Sequence, residues 1–259
     1  MNKILLWLVF YFTLSGCATS PTGRSQFIMM PDAQMEQMGL QSFASLKKDK
    51  PIEQDARMNA YVRCVATAIT NEVGGKWEVV VFADPTANAF ALPGRKIGVH
   101  TGLLKVAENQ NQLAAVLGHE VAHVLANHSN ERVSQKYAVS QGLAITQALI
   151  SPQSALGQAG MGLLGVGAQY GILMPFSRAH ESEADIYGLD WMAKAGFDPR
   201  ESVTLWVNMG KDGGKQSPEF LSTHPAHDTR ISDLKKHMPK ALELMNNAHT
   251  QGKKPQCQN

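Results

Sequence analysis

The sequence predicts a mostly helical α+β fold with one small sheet placed just ahead of its central helix. Three observations carry this. Leu113 to His128 (LAAVLGHEVAHVLANH) is an apolar run with no proline and a single glycine, the composition of a buried helix. Trp77 to Phe82, Asn88 to Leu92 and Lys96 to Thr101 read as short strands, the last two joined by a Pro93-Gly94 turn. On either side of them, apolar residues recur at helical spacing. With 259 residues, 44% hydrophobic and 18% charged, the chain can bury a core in one large domain or two small ones. The formal net charge is +2, and no basic run carries interleaved aromatics, so nothing supports nucleic-acid binding.

Taken in order, residues 1–16 read as a signal peptide. Asn2 and Lys3 precede an apolar stretch of 11 residues, Ile4 to Leu14, too short for the roughly 20 residues of a membrane-spanning helix. Leu14-Ser15-Gly16-Cys17 resembles the bacterial lipobox, in which the cysteine becomes the lipidated first residue. Multiple acyl chains would anchor stably where one would not. Ala18, rather than Asp, after Cys17 points to an outer-membrane lipoprotein on the periplasmic face. Residues 17–30 are then the lipidated cysteine and a tether, and 31–259 the working domain. Cys64 and Cys257 remain; in an oxidising compartment they either pair, clamping the C-terminal tail to an early helix, or stay as two thiols.

Asp32 to Lys48 is an amphipathic helix with Asp32 as a cap and Met35, Met38, Phe43 and Leu46 facing inward. Asp55 to Glu72 is a second, with Met58, Tyr61, Val62, Val65 and Ile69 on one side and Gly74-Gly75 breaking the pattern. One of the strands at 88–92 and 96–101 is expected to be an edge strand lining a cleft, where an extended peptide adds through main-chain hydrogen bonds. Ser129 caps a further helix to Leu149. Leu156 to Met174 is uncharged and holds six glycines in 19 residues; a mobile cover or close helix packing suits it better than a membrane span. Ser177 caps a helix to Ala195, stopped by Gly196 and Pro199. Asp198-Pro199 opens another to Met209, with Val203, Leu205, Trp206 and Val207 apolar. A terminal helix runs from Arg230 to Met238, and the tail after Ala248 is expected to be loose.

The chemistry lies in H-E-x-x-H. His119 and His123 fall about 40° apart on one helix face and can bind one zinc ion. Glu120, rotated by about 100°, can reach a water on that metal as general base. A third ligand is available at Glu181 or Glu183, which point about 160° apart, so only one can face the metal. Glu181 is the more economical choice, because Asp185 one turn later can accept the spare N–H of a ligating histidine. Glu183 and His180 then read as a solvated charged face. A His2Glu set leaves one position open for water. His224 and Arg230 could stabilise an oxyanion, His224 could reach the open metal position, or both could cap and salt-bridge the terminal helix.

NAFALPG…VHTGLL at 88–104, LGHEVAHVLANH at 117–128, SRAHESEAD at 177–185 and STHPAHDTRI at 222–231 together resemble the HtpX-like and CAAX-prenyl-protease-type zinc metallopeptidases, specifically their periplasmic lipoprotein branch. The resemblance implies a zincin domain of the gluzincin type, with one Zn2+ on His119, His123 and Glu181. It also implies Glu120 as base, His224 and Arg230 as catalytic groups, and endopeptidase activity on envelope proteins in quality control. Its integral-membrane members act on substrates that are not carried over, since no credible span follows the signal. Expected partners are protein or peptide substrates in the envelope and, through the lipid anchor, the membrane. The alternative is a chaperone or assembly factor for outer-membrane proteins, with a covered, mostly latent site.

Overall fold

A computed structural model describes residues 17–150, 174–211, 220, 224 and 229–258. The expected signal peptide and the glycine-rich segment, apart from Met174, lie outside these residues, as does most of 222–228. The described chain opens on a small antiparallel hairpin, β1 (Cys17–Thr19) and β2 (Ser25–Phe27).

Helix α1 (Asp32–Asp49) buries Met35 and Phe43 as its spacing predicts. Pro31, not Asp32, occupies the cap position, and Met38 is exposed rather than inward. The backbone of α1 comes close to the Pro93-Gly94 turn at Gly39, where an added Cβ would lie 2.0 Å from the Pro93 carbonyl oxygen. Helix α2 (Ala56–Val73) is capped by Asp55, whose carboxylate accepts from the Arg57 and Met58 amides, and it buries Tyr61, Val62, Val65 and Ile69. It ends at Gly74.

Strands β3 (Glu78–Phe82), β4 (Ala89–Leu92) and β5 (Lys96–His100) form a sheet in the order β3-β5-β4. β3 runs parallel to β5 and β4 antiparallel to it. The outer side of β3 is bonded by residues 51–53, through Glu53 N–H to Val81 O (2.9 Å) and Ala83 N–H to Pro51 O (2.8 Å). Of the two candidates for a cleft-lining edge, β5 is therefore central and β4 is the edge.

Helix α3 (Gln110–Leu125), capped by Asn109, carries the H-E-x-x-H residues. It stops three residues short of His128. Asn127 takes the left-handed backbone (φ 54°) that Asn tolerates, and a new helix, α4 (His128–Ile150), begins. Ser129 thus lies in its first turn rather than capping it. Helix α5 (Met174–Lys194) likewise starts ahead of Ser177. It closes at Gly196 (φ 92°), with Phe197 N–H bonded to Met192 O and Gly196 N–H to Ala193 O, a Schellman end. Helix α6 (Glu201–Lys211) buries Leu205 and Met209, while Val207, two residues round from Leu205, is exposed.

Helix α7 (Arg230–Thr250) continues through Pro239 instead of ending at Met238, because Ala241 and Ala248 beyond it are buried in the core. The tail is held, not loose. Lys253 N–H bonds Ala248 O, Lys253 Nζ pairs with Glu72, and Cys257 is disulfide-bonded to Cys64. Among the described residues no helix is long and apolar enough to cross a membrane. One hydrophobic core joins α2, the sheet, α3, α5, α6 and α7.

Candidate active site

The site forms where α3 and α5 cross at backbone contact. A Cβ on Gly188 would lie 2.6 Å from the His119 amide nitrogen, and one on Gly118 would lie 2.7 Å from Gly188 O. No larger residue fits either position. This approach carries Glu181 of α5 to the two imidazoles of α3. His119 Nε2 and His123 Nε2 are 3.0 Å apart, and they lie 3.3 and 3.4 Å from the Glu181 carboxylate oxygens. His224 Nδ1 joins them, 3.2 Å from His119 Nε2 and 3.1 Å from Glu181 Oε1.

One ligand atom from each of these four residues lies within 4.8 Å of the others. A tetrahedral zinc with donors at about 2.0–2.2 Å has donor–donor edges of about 3.3–3.6 Å, so a cluster of this size fits the ion. The chemistry fits as well: a carboxylate and three imidazoles are buried together, an arrangement that is costly unless something binds them. Glu120 Oε1 is buried and accepts no hydrogen bond among the described residues.

Each partner sets the charge of its neighbour. His119 Nδ1 is 3.0 Å from Asp185 Oδ1, the carboxylate expected to hold it. Burial pulls the His119 imidazole down, but Asp185 and Glu181 outweigh it and push it up to about 9. Burial dominates at His123 and keeps it neutral, the form that binds metal. Burial also opposes charge on Glu181 and Asp185, yet the histidines around the first, and Arg230 with His119 around the second, hold both below the usual carboxylate range. Arg230 is 2% exposed. Its Nε and Nη2 fork onto Asp185 at 2.6 Å each, Nη1 reaches Glu181 at 3.1 Å, and its plane lies 3.8 Å over the Trp206 ring. Burial pushes the Glu120 carboxyl up. The Ala91 amide of β4 donates to its Oε2 (3.1 Å), and His224 Nε2 lies 3.3 Å from its Oε1.

Behind the ligands lies a second polar cluster to which the sequence reading assigned no part. Glu183 and His180 are buried, at 6% and 2% exposure, not on a solvated face, because Thr22 and Arg24 of the β1–β2 turn close on Glu183 while His128 and Glu131 of α4 pack against His180. Glu183 meets His128 and Arg24, and His180 meets Glu131 (3.0 Å), which Arg24 also grips at 2.7 and 2.8 Å. His128 stands only five residues beyond His123, a signal that was available. Arg24 and Glu131 carry no comparable mark in the sequence.

Comparison with known proteins agrees with this geometry. The model of "Peptidase family M48" matches residues 49–238. Mitochondrial metalloendopeptidase OMA1 of Schizosaccharomyces pombe is 41% identical over 168 residues, 64% of this chain and 48% of that protein. Human mitochondrial metalloendopeptidase OMA1 is 32% identical over 258 residues, 93% of this chain and 49% of that one. The beta-barrel assembly-enhancing protease of Yersinia pestis is 30% identical over 203 residues, covering 73% and 41%. The chain thus spans about half the length of the curated relatives it matches. A match that runs from the end of α1 into α7, taking in the sheet, both histidines and Glu181, establishes that the chain belongs to peptidase family M48.

Proposed function

We propose that the chain is a zinc-dependent metalloendopeptidase tethered through Cys17 to the periplasmic face of the outer membrane, where it cleaves envelope proteins in quality control. The observation that carries the peptidase reading is the placement of Glu120 between the His119–His123–Glu181 cluster and the open edge strand β4. When bound there, zinc supplies the Lewis acidity that acidifies a water and polarises a carbonyl. The residues of the chain do the rest. Ala91 turns its N–H away from β5 and holds one oxygen of Glu120, leaving the other to take the water's proton and pass it to the leaving amine. Burial raises the basicity of that carboxylate. An extended peptide adds to β4 through its outward main-chain groups. His224 is placed to donate to a developing oxyanion, while Arg230 acts through Asp185 and Glu181. The lipobox-like Cys17 and the Cys64–Cys257 disulfide support an exported, anchored location, and the motifs resemble those of the periplasmic lipoprotein LoiP.

A second reading is a latent site on an assembly factor for outer-membrane proteins. His224 Nδ1 sits among the ligand atoms, where it would fill the position water needs, and one relative is named for β-barrel assembly. The test is casein turnover and zinc content of the wild type beside Glu120→Gln. We expect about one zinc in both and turnover reduced by roughly 10²–10⁴-fold in the variant. Zinc without cleavage in the wild type would favour the latent reading, and no zinc would remove both.

A further inference from the structure

The second polar cluster is wired to a metal ligand. His123 points Nε2 at Glu181 and His119, so its ring proton belongs on Nδ1 when a metal is bound. That Nδ1 lies 2.8 Å from His128 Nδ1, which must then accept. The proton of His128 is left on Nε2, 3.1 Å from Glu183 Oε2, which accepts it. Glu183 is in turn fixed by Arg24 Nε at 3.0 Å and by the Thr22 hydroxyl. Both come from the β1–β2 turn. The His128 ring is also stacked on His180 at 4.4 Å between centroids, and His180 bonds Glu131, the carboxylate gripped by the other two nitrogens of Arg24. The hairpin has a further hold: Gln26 Nε2 donates 2.6 Å to the carbonyl of Ala126, at the end of the metal-bearing helix.

We propose that the β1–β2 hairpin is a positioning clamp for the metal ligand His123, acting from Arg24 through Glu183 and His128. His119 has its own holder in Asp185, on the same helix as Glu181. His123 meets no carboxylate in this way; its holder is His128, five residues on, which is fixed by Glu183 of α5 and, through it, by Arg24 from the other end of the chain. The consequence is that the segment next to the expected lipid attachment helps to hold the zinc. Arg24, Glu183 and His128 are positioning residues, since none supplies a ligand atom to the cluster.

The inference rests on the metal-centre reading, and the experiment separates the two. Zinc affinity is measured by competition with a chromogenic chelator on the full chain, for the wild type, Arg24→Ala, His128→Ala and His128→Gln. The visible spectrum of the cobalt-loaded forms is recorded alongside, with thermal unfolding of each metal-free form. A glutamine at 128 can accept from His123 with its amide oxygen and donate to Glu183 with its NH2. We expect His128→Ala to lose 10–100-fold in affinity, Arg24→Ala to lose several-fold, and His128→Gln to recover most of the loss with a wild-type-like cobalt spectrum. Wild-type affinity in His128→Ala or Arg24→Ala would overturn the clamp and leave the metal centre standing. So would equal losses in His128→Ala and His128→Gln, which would mean bulk, not hydrogen bonding, matters. A wild type that takes up no zinc would instead overturn the metal-centre reading itself.

Discussion

Glu181 and Glu183 lie two residues apart on α5 and serve separate centres, Glu181 the ligand cluster and Glu183 the hairpin clamp. The angle of about 160° between them is a property of any helix, so their divergence was legible in the sequence. That Asp185 follows Glu181 by one turn also pointed to Glu181 as the one facing the histidines, and Asp185 does lie against His119. The surroundings of Glu183 were not legible, because Thr22, Arg24 and His128 are brought to it from far along the chain. Glu131 in the same cluster has a measurable signature. Burial opposes its charge, but hydrogen bonds from Arg24 and His180 outweigh this and hold its carboxyl well below the usual range of about 4.5. A carboxyl depressed in the folded state contributes stability that is present above its unfolded value and lost as pH falls below it. In pH-dependent thermal unfolding, the wild type is therefore expected to lose stability below about pH 4.5 more steeply than Glu131→Gln. Parallel curves would show that the cluster contributes nothing through Glu131.

At the scale of elements, the α3–α5 crossing decides the site. Gly118 and Gly188 look unremarkable in sequence, yet they let the two helix backbones touch and bring Glu181 within 3.4 Å of both histidines. A Cβ at 188 would have to push against the backbone of His119 itself, which cannot give without moving a ligand. Gly188→Ala is expected to cost about 1–3 kcal/mol in unfolding free energy through overpacking. It should also weaken zinc binding measurably by chelator competition. Gly142→Ala is the control, since among the described residues no atom lies within 4 Å of its added carbon. Equal zinc affinity in both variants would remove the crossing from the account. The caps follow the same division. Asp55 and Asn109 cap their helices as their side chains allow, whereas Ser129 and Ser177 lie inside helices that begin earlier. A good capping residue is also tolerated in a first turn, so its presence alone does not mark a boundary.

At the scale of the molecule, the Cys64–Cys257 bond ties the end of the chain to α2 across 193 residues of sequence. Closing so long a loop restricts the unfolded chain, and its loss is expected to cost about 2–5 kcal/mol. Cys257→Ala should lower the midpoint of thermal unfolding by roughly 5–15 °C, and reduction of the wild type should reproduce the shift. An unchanged midpoint would mean that the packing around Lys253 holds the tail alone. The sequence left Cys64 and Cys257 either to pair or to stay as two thiols; the structure pairs them, because the docked path of the tail brings Cys257 to α2. The sequence by itself determined whatever depends on residues within a turn or two of one another: the helices, the short strands, the common face of His119 and His123, and the rotation separating Glu181 from Glu183. Those signals are local because they come from backbone geometry and periodicity. Only the tertiary structure decided that β4 rather than β5 is the open edge, that His224 and Arg230 converge on the ligands, and that Arg24 is brought to Glu183. Each of these depends on parts of the chain meeting across long separations, where shared burial and paired charge, not spacing, select the partner.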